Sequence, residues 1–244
     1  LLKTEATTPS GNPKDRFHFT SDTAEYVARM QQGITFGYGA AYKLISSSAP
    51  RELVIVLVNE NSPAADAGLQ RGARIVAVDG VDLINGSDTD TLNAGLWPNQ
   101  INEDHNFEVL DPGATERRKI AMTSAQIDSD AVPETRIIDT DSGKVGYLLF
   151  TDHILTAEQK LVDAVTQMRN ANVTDLVLDL RYNQGGFLYL ANQMSYMIAG
   201  SGVSGQTFSS LQFNQKKPGV NPVTGGAVSA DAFLTTTTEN ATPA

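Results

Sequence analysis

The sequence predicts a multidomain α+β protein, with a small β-rich module followed by a partial β-α-β-α domain. From Gly33 to about Ser124, short apolar runs alternate with turn residues, as in strands joined by tight turns. After an acidic, proline-containing passage at 125–135, which we interpret as a linker, strands alternate with helices, and this order predicts parallel strands with right-handed crossovers. We expect a flexible tether over 1–14, a helical segment over 15–32, the β-rich module over 33–125 and the second domain over 126–244.

Composition excludes several classes of function. The chain has 244 residues and a net charge of −10, so no basic stripe is available to neutralise nucleic-acid phosphates. It contains no cysteine, and its three histidines (His18, His105 and His153) are far apart in the sequence. No apolar stretch reaches the length of a membrane span. We predict no metal, no cofactor, no nucleic-acid partner and no membrane span in this chain.

The elements follow from local patterns. A polar arm with two prolines leads to a helix that Ser21 or Asp22 can cap and that Gly33 ends. In the β-rich module we expect strands over 34–45, 52–60, 73–80, 105–111 and 117–124, and a short helix over 89–97.

The second domain opens with a strand over 144–150. Thr156 and Gln159 form a predicted capping box for the next helix. The run at 175–180, with Val177, Leu178 and Leu180, is typical of a strand in the middle of a parallel sheet. A helix with apolar residues from Leu188 to Ile198 follows, and the Gly-, Ser- and Thr-rich remainder is predicted to be a long loop or an unfinished domain.

Two adjacent glycines follow the strand at 175–180. Gly185 and Gly186 can adopt positive φ, so their backbone N–H groups can face a ligand and hold an oxyanion. From the dipeptide alone, an ordinary turn between strand and helix is the favoured interpretation, and the rest of the chain shifts the balance towards a ligand-binding loop.

The segment from Asn61 to Gly80 closely resembles the core of a bacterial PDZ domain. Gly68 and Gly72 fit the turns of that motif, and Leu69, Ile75 and Val78 fit its core positions. Ala73 departs from the pattern, because the family usually has aspartate there. Upstream, Phe36, Gly37 and Tyr38 fit the loop that binds a peptide's terminal carboxylate, although without the downstream match a strand with a bulge would be preferred for this tripeptide.

A PDZ-like module followed by this strand and loop resembles the N-terminal portion of the carboxyl-terminal processing (tail-specific) serine peptidases. Arg181, Asn183, Gly185 and Gly186 fall on that family's R-x-N-x-GG motif. The resemblance implies a tricorn-core or crotonase-like catalytic fold, peptide or protein substrates with free C-termini, and a location in a bacterial cell envelope or periplasm with any anchor upstream of Leu1. It also implies a serine nucleophile and a lysine base downstream of the glycine pair.

We find neither catalytic residue in these 244 residues. Ser229 is nearest in position but lacks the small-residue turn and the lysine, and Lys216 and Lys217 lie in a polar turn where an ammonium group stays charged. Two alternatives stay open: a non-catalytic peptide-binding or scaffold protein that keeps the fold, and a retinoid- or lipid-binding repeat. A GG loop contributing to an oxyanion hole is the leading interpretation.

Overall fold

The computed structural model describes residues 5–15, 20–216, 219–222 and 224–237. Residues 1–4 of the predicted tether lie outside this description, as do His18 and Lys217. The arm over 5–14 is largely exposed and forms a local bridge between Thr7 and Pro13.

The first helix begins and ends at predicted positions. Helix α1 spans Thr23–Val27, and the Asp22 carboxylate caps it by accepting the N–H groups of Ala24 and Glu25. A π-helical turn, Ala28–Gln32, continues it to Gly33, whose φ of 71° gives the left-handed conformation that ends a helix.

The β-rich module is an antiparallel sheet with two short helices. Its strand order is β2-β3-β4-β6-β7, and the short strand β5 pairs with β4. Ile55, Val78, Phe107 and Val109 are fully buried in its core. The elements are β2 (Ala40–Ser46), β3 (Glu52–Val58), α2 (Pro63–Asp66), β4 (Arg74–Val78), β5 (Val81–Asp82), α3 (Thr89–Leu96), β6 (Asp104–Leu110) and β7 (Arg118–Thr123).

The strand expected over 34–45 is in fact two strands, because the chain turns at two glycines. Strand β1 (Ile34–Gly37) ends where Gly37 has a φ of 138°, and Gly39 has a φ of 76° before β2 begins. Strand β1 pairs antiparallel with β8 (Ala125–Asp128), at the position where a linker is predicted. The linker interpretation is therefore wrong there: Ile127 is buried, and only its acidic neighbours gave the passage a loop-like composition.

The second domain contains a three-stranded sheet of order β11-β10-β9. Strands β10 (Gly143–Leu149) and β11 (Asp175–Asp179) are parallel, as the strand-helix-strand order predicts. Strand β9 (Glu134–Thr140) was not predicted and pairs antiparallel with β10. Helices α4 (Ala157–Asn170) and α5 (Leu188–Ala199) pack on this sheet around Leu148, Phe150, Ile154, Leu161 and Leu190.

Two local predictions in this domain are wrong. Thr156 precedes α4 without a side-chain cap hydrogen bond, and the amide of Gln159 donates to Asp163 instead of forming a capping box. In the described chain β11 pairs only with β10, so Val177 lies on an edge strand with half of its surface exposed. Leu188 is also half exposed, because α5 turns other residues inward.

The buried face of α5 is partly polar. Asn192 donates to the carbonyl of Ala232 (2.8 Å) and accepts the N–H of Leu234 (2.8 Å), and it is buried like its neighbour Gln193. These bonds fix a C-terminal hairpin of β12 (Thr207–Ser210) and β13 (Ala230–Ala232) within the segment predicted to be a loop. Overall, the predicted α+β, multidomain class is confirmed. No helix of the described residues is long and apolar enough to cross a membrane.

Candidate functional site

The predicted carboxylate-binding loop lies between β1 and β2. Phe36 is partly exposed, whereas Tyr38 is buried, with its ring edge-on to Phe107 and its hydroxyl donating to the carbonyl of Gly95 in α3 (3.0 Å). A Cβ at Gly39 would lie 2.3 Å from the Cβ of Ser62, so only glycine fits this turn. The loop is thus held by Tyr38 and by close packing at Gly39.

The backbone of this loop has donors to offer. Within the described part of the chain, neither the N–H of Tyr38 nor that of Gly39 donates a hydrogen bond, whereas their carbonyls accept from Ala64 and Asn59. Adjacent free N–H groups in a turn with positive φ can bind an anion such as a carboxylate. The loop can therefore hold a peptide's terminal carboxylate through its backbone.

A groove leads away from this loop. Strand β2 is an edge strand that pairs only with β3 among the described residues, so its outer side can accept another strand. The end of α3 forms the opposite wall, where Trp97 packs edge-on against Tyr42 with ring centroids 6.4 Å apart. Burial raises the pKa of Tyr42, whose hydroxyl has no hydrogen-bond partner among the described residues.

The glycine pair is organised by Asn183. Its side-chain oxygen accepts the N–H of Gly185 and lies 2.8 Å from Nδ1 of His153, and its amide donates to the carbonyl of Phe150 (3.0 Å). Because the backbone N–H of Gly185 can only donate, the contact assigns Oδ1 as acceptor, and Nδ1 of His153 must carry the proton. Burial lowers the pKa of His153, although its bond to Asn183 acts in the opposite direction. The imidazole is thus mainly neutral at pH 7.

The two glycines differ in their surroundings. Gly185 donates its N–H to Asn183, whereas the N–H of Gly186 donates to no acceptor in the described part of the chain. A Cβ at Gly186 would lie 2.4 Å from the carbonyl oxygen of His153, while a Cβ at Gly185 would meet nothing within 4 Å. Gly186 therefore has both the free donor and the steric need for glycine.

An ion pair anchors the start of the glycine loop, which comprises residues 180–187 between β11 and α5. The guanidinium of Arg181 donates to both carboxylate oxygens of Asp179, from Nε to Oδ1 (3.0 Å) and Oδ2 (2.9 Å) and from Nη2 to Oδ2 (2.5 Å), and Tyr147 donates to Oδ2 (2.7 Å). The hydrogen bonds from Arg181, followed by that from Tyr147, hold the pKa of the buried Asp179 carboxyl well below its usual range. The loop thus starts from a fixed, ionised residue at the end of β11.

One cleft of about 550 Å³ extends from the predicted carboxylate-binding loop to the loop that carries the glycine pair, although neither Gly185 nor Gly186 lines it. Its lining includes Phe36, Gly37 and Tyr42 from the β-rich module, and Tyr182 and Gln184 from the glycine loop. The guanidinium of Arg71 also lies 5.8 Å from the ring centroid of Tyr182, across the two modules.

The candidate catalytic side chains are not brought to this cleft. Ser229 is exposed outside any helix or strand, and Lys216 is exposed in a turn. Among the described residues no lysine ammonium contacts a serine hydroxyl, whereas His153, which sequence reasoning gave no role, contacts the glycine loop. A histidine three residues after a buried strand was the only signal for it.

Comparison with known proteins supports the two-module interpretation. Residues 54–94 match the PDZ domain family and residues 144–227 match peptidase family S41. The carboxyl-terminal-processing protease of Synechocystis is 28% identical over 155 residues, covering 62% of this chain and 35% of that protein. The chloroplastic carboxyl-terminal-processing peptidase 3 of Arabidopsis thaliana is 29% identical over 161 residues, covering 59% and 30%.

A solved structure shows the same fold. A putative S41 protease from Bacteroides fragilis superposes with a TM-score of 0.57 at 19% identity, covering 90% of this chain and 68% of that one. The chain spans about a third of the length of the curated relatives that it matches.

Proposed function

The chain carries a PDZ domain followed by a peptidase family S41 domain and is related to the carboxyl-terminal-processing peptidases, and from this premise we propose that it is the N-terminal part of a serine endopeptidase. The PDZ module would bind the C-termini of protein substrates, and the glycine loop would contribute to the oxyanion hole. The observation that carries this proposal is the shared cleft, which is lined by residues of both loops.

In this proposal the substrate adds as a strand to the free edge of β2. Its terminal carboxylate accepts hydrogen bonds from the free N–H groups of Tyr38 and Gly39, with Phe36 and Gly37 beside it. An apolar terminal side chain would lie against Tyr42 and Trp97.

For the chemical step, we assign the oxyanion donor to the N–H of Gly186, and we assign Gly185 the task of fixing the loop through Asn183. The donor is aimed by the contacts to His153 and Asn183, so it needs no reorganisation when charge develops on the substrate. We propose that the nucleophilic serine and the lysine base are not among these residues, and that the protein acts in a bacterial cell envelope. Cell fractionation that found the full protein in the cytoplasm would refute the envelope location.

Peptide binding is the most direct test. A peptide with a free, apolar C-terminus should bind, and amidating that C-terminus should weaken binding about tenfold or more, because charge-assisted hydrogen bonds are lost. The same peptide acetylated at its N-terminus removes a terminal charge that the groove does not hold and should bind unchanged. Equal dissociation constants for the free and amidated peptides would refute the assignment of the loop.

The second candidate is a non-catalytic peptide-binding protein, which would need only the groove and the free N–H groups of Tyr38 and Gly39. Peptidase assays of the chain and of the full protein separate the two. We expect the 244-residue chain to hydrolyse no peptide and the full protein to cleave denatured substrates. Cleavage by the chain itself that is lost in Ser229→Ala would place the nucleophile within these residues.

A further inference from the structure

His105 lies between two carboxylates, beside Gly95 of α3. His105 is on β6, and its Nδ1 is 2.6 Å from Oδ2 of Asp79, which lies in the turn between β4 and β5. Its Nε2 is 3.5 Å from Oε2 of Glu103, in the segment between α3 and β6. The imidazole is largely buried. Both of its nitrogens therefore face an acceptor, and only the protonated ring can donate to both.

The contact with Asp79 bears on α3, the helical wall of the groove. Gly95 in α3 packs closely here: a Cβ would lie 2.3 Å from Cγ1 of Val78 and 3.2 Å from both Oδ2 of Asp79 and Nδ1 of His105. On its other side, the carbonyl of Gly95 accepts the hydroxyl of Tyr38 from the carboxylate-binding loop. The His105–Asp79 pair and Tyr38 of the carboxylate-binding loop thus contact the same residue of α3, Gly95.

The contact with Glu103 bears on the segment that follows α3. Oε1 of Glu103 accepts the N–H groups of Asn99 (3.0 Å) and Gln100 (2.8 Å). This segment carries Trp97, which packs on Tyr42 of the edge strand. A change in the contact between Oε2 of Glu103 and His105 can therefore shift the turn at Asn99 and Gln100, which follows Trp97.

We propose that His105 is a positioning residue for the peptide groove, and that its protonated form bridges Asp79 and Glu103 to hold α3 and Trp97 in the conformation that binds peptide. The inference rests on the proposed function of the groove and adds a regulation to it. Peptide binding should be tight while His105 is charged and should weaken as the pH rises and the ring loses its proton. In the neutral ring with Nδ1–H directed at Asp79, the lone pair of Nε2 faces the Glu103 carboxylate and repels it.

The charges around His105 favour this switch. From the β4–β5 turn Asp79 faces it, and from the segment after α3 Glu103 does; Asp104 is its neighbour on β6, and Tyr38 lies beyond Gly95. Burial lowers the pKa of His105, but the hydrogen bonds and charges of Asp79 and Glu103 together outweigh burial and raise it. The transition therefore falls above the ordinary histidine value.

The experiment measures peptide binding as a function of pH through Trp97, the only tryptophan in the chain. We expect the dissociation constant of the free-carboxylate peptide to rise about three- to fivefold between about pH 6 and about pH 9, the size of one partly buried ion pair. His105→Gln should give a flat profile at the weaker, high-pH level. Glu103→Gln, which keeps an oxygen for Asn99 and Gln100, should flatten the profile while keeping the fold.

Glu108→Gln is the matched control, because Glu108 lies on the same strand but pairs with Lys119 and Arg117, and it should keep the wild-type profile. An unchanged wild-type dissociation constant across this pH range would overturn the proposal. If no peptide binds at any pH, the proposed function fails. The coupling between the protonation of His105 and the position of Trp97 can then still be tested in the chain without peptide. The fluorescence of Trp97 should change with pH at the same midpoint as the NMR titration of the His105 ring, and this change should be lost in His105→Gln. Fluorescence that does not depend on pH would refute the coupling.

Discussion

Replacing Asn183 with alanine should release the glycine loop. The side chain makes three contacts, with the N–H of Gly185, the imidazole of His153 and the carbonyl of Phe150, all between 2.8 and 3.0 Å. Each net hydrogen bond contributes about 1 kcal/mol, so their sum is about 3 kcal/mol, and it is lost from the second domain because alanine leaves three partly buried groups unpaired.

The assay is urea unfolding followed by far-UV circular dichroism, combined with hydrogen exchange of the Gly185 amide. We expect the second-domain transition to shift to lower urea and the Gly185 amide to exchange faster. The matched control is Gln184→Ala: Gln184 is the next residue in the same loop, and its exposed side chain makes no hydrogen bond in the described part of the chain. Its effect should stay within about 0.5 kcal/mol.

His153 gives a second, independent readout. The hydrogen bond that His153 donates to Asn183 acts to raise the pKa of His153 against burial, so Asn183→Ala should lower that pKa further. Asn183→Asp keeps both acceptor contacts and adds a negative charge, so this variant should raise the pKa of His153. Loss of less than about 1 kcal/mol in Asn183→Ala, with an unchanged His153 pKa, would refute the role of Asn183 as organiser of the loop.

Three further outcomes are expected. Gly39→Ala should cost about 2 kcal/mol or more in unfolding experiments, because its Cβ would meet Ser62 at 2.3 Å and its φ is positive; a variant as stable as wild type would contradict this. Asp179→Asn should destabilise the chain at pH 7 by about 2 kcal/mol and make unfolding less sensitive to acid. The lowered pKa means that the contribution of Asp179 is present above the pKa of the unfolded carboxyl and is lost as the pH falls through the folded pKa, so equal acid sensitivity of the two proteins would refute it. Deleting the residues before Asp15 should leave the melting temperature nearly unchanged, and a drop of several degrees would show that the arm packs on a domain.

Sequence patterns predicted those elements whose burial is set by their own residues. Strand β4 has four consecutive buried residues and the turns beside it need glycine, so Leu69, Ile75 and Val78 were correctly assigned to the core. Strand β8 was missed because only Ile127 of its four residues is buried, and its pairing with β1, about ninety residues earlier, is a long-range event that no local pattern reports.

The polar interior of α5 could not be predicted for a similar reason. Asn192 and Gln193 are residues that composition places on a surface, and they become buried only because the C-terminal hairpin supplies their partners. The same holds for His105 and His153, since each acquires its role from residues that are 26 and 30 positions away. A site made from such pairs becomes visible only when the topology has brought its members together.

The glycine pair illustrates how far a motif can be interpreted. From the sequence, Gly185 and Gly186 were equivalent, and both could donate to an oxyanion. In the fold, Asn183 uses the first N–H to shape the loop, and the carbonyl of His153 leaves no room for a Cβ on the second residue.

Alanine at the two positions therefore separates the two roles in the full protein. Gly185→Ala adds only the strain of a positive φ, about 1 kcal/mol, and should retain most activity. Gly186→Ala must push the loop away from His153. If its N–H is the oxyanion donor that we propose, the variant should reduce kcat much more than it changes KM, because such a donor acts mainly in the transition state. Equal kcat values for the two variants would show that the pair is only a turn.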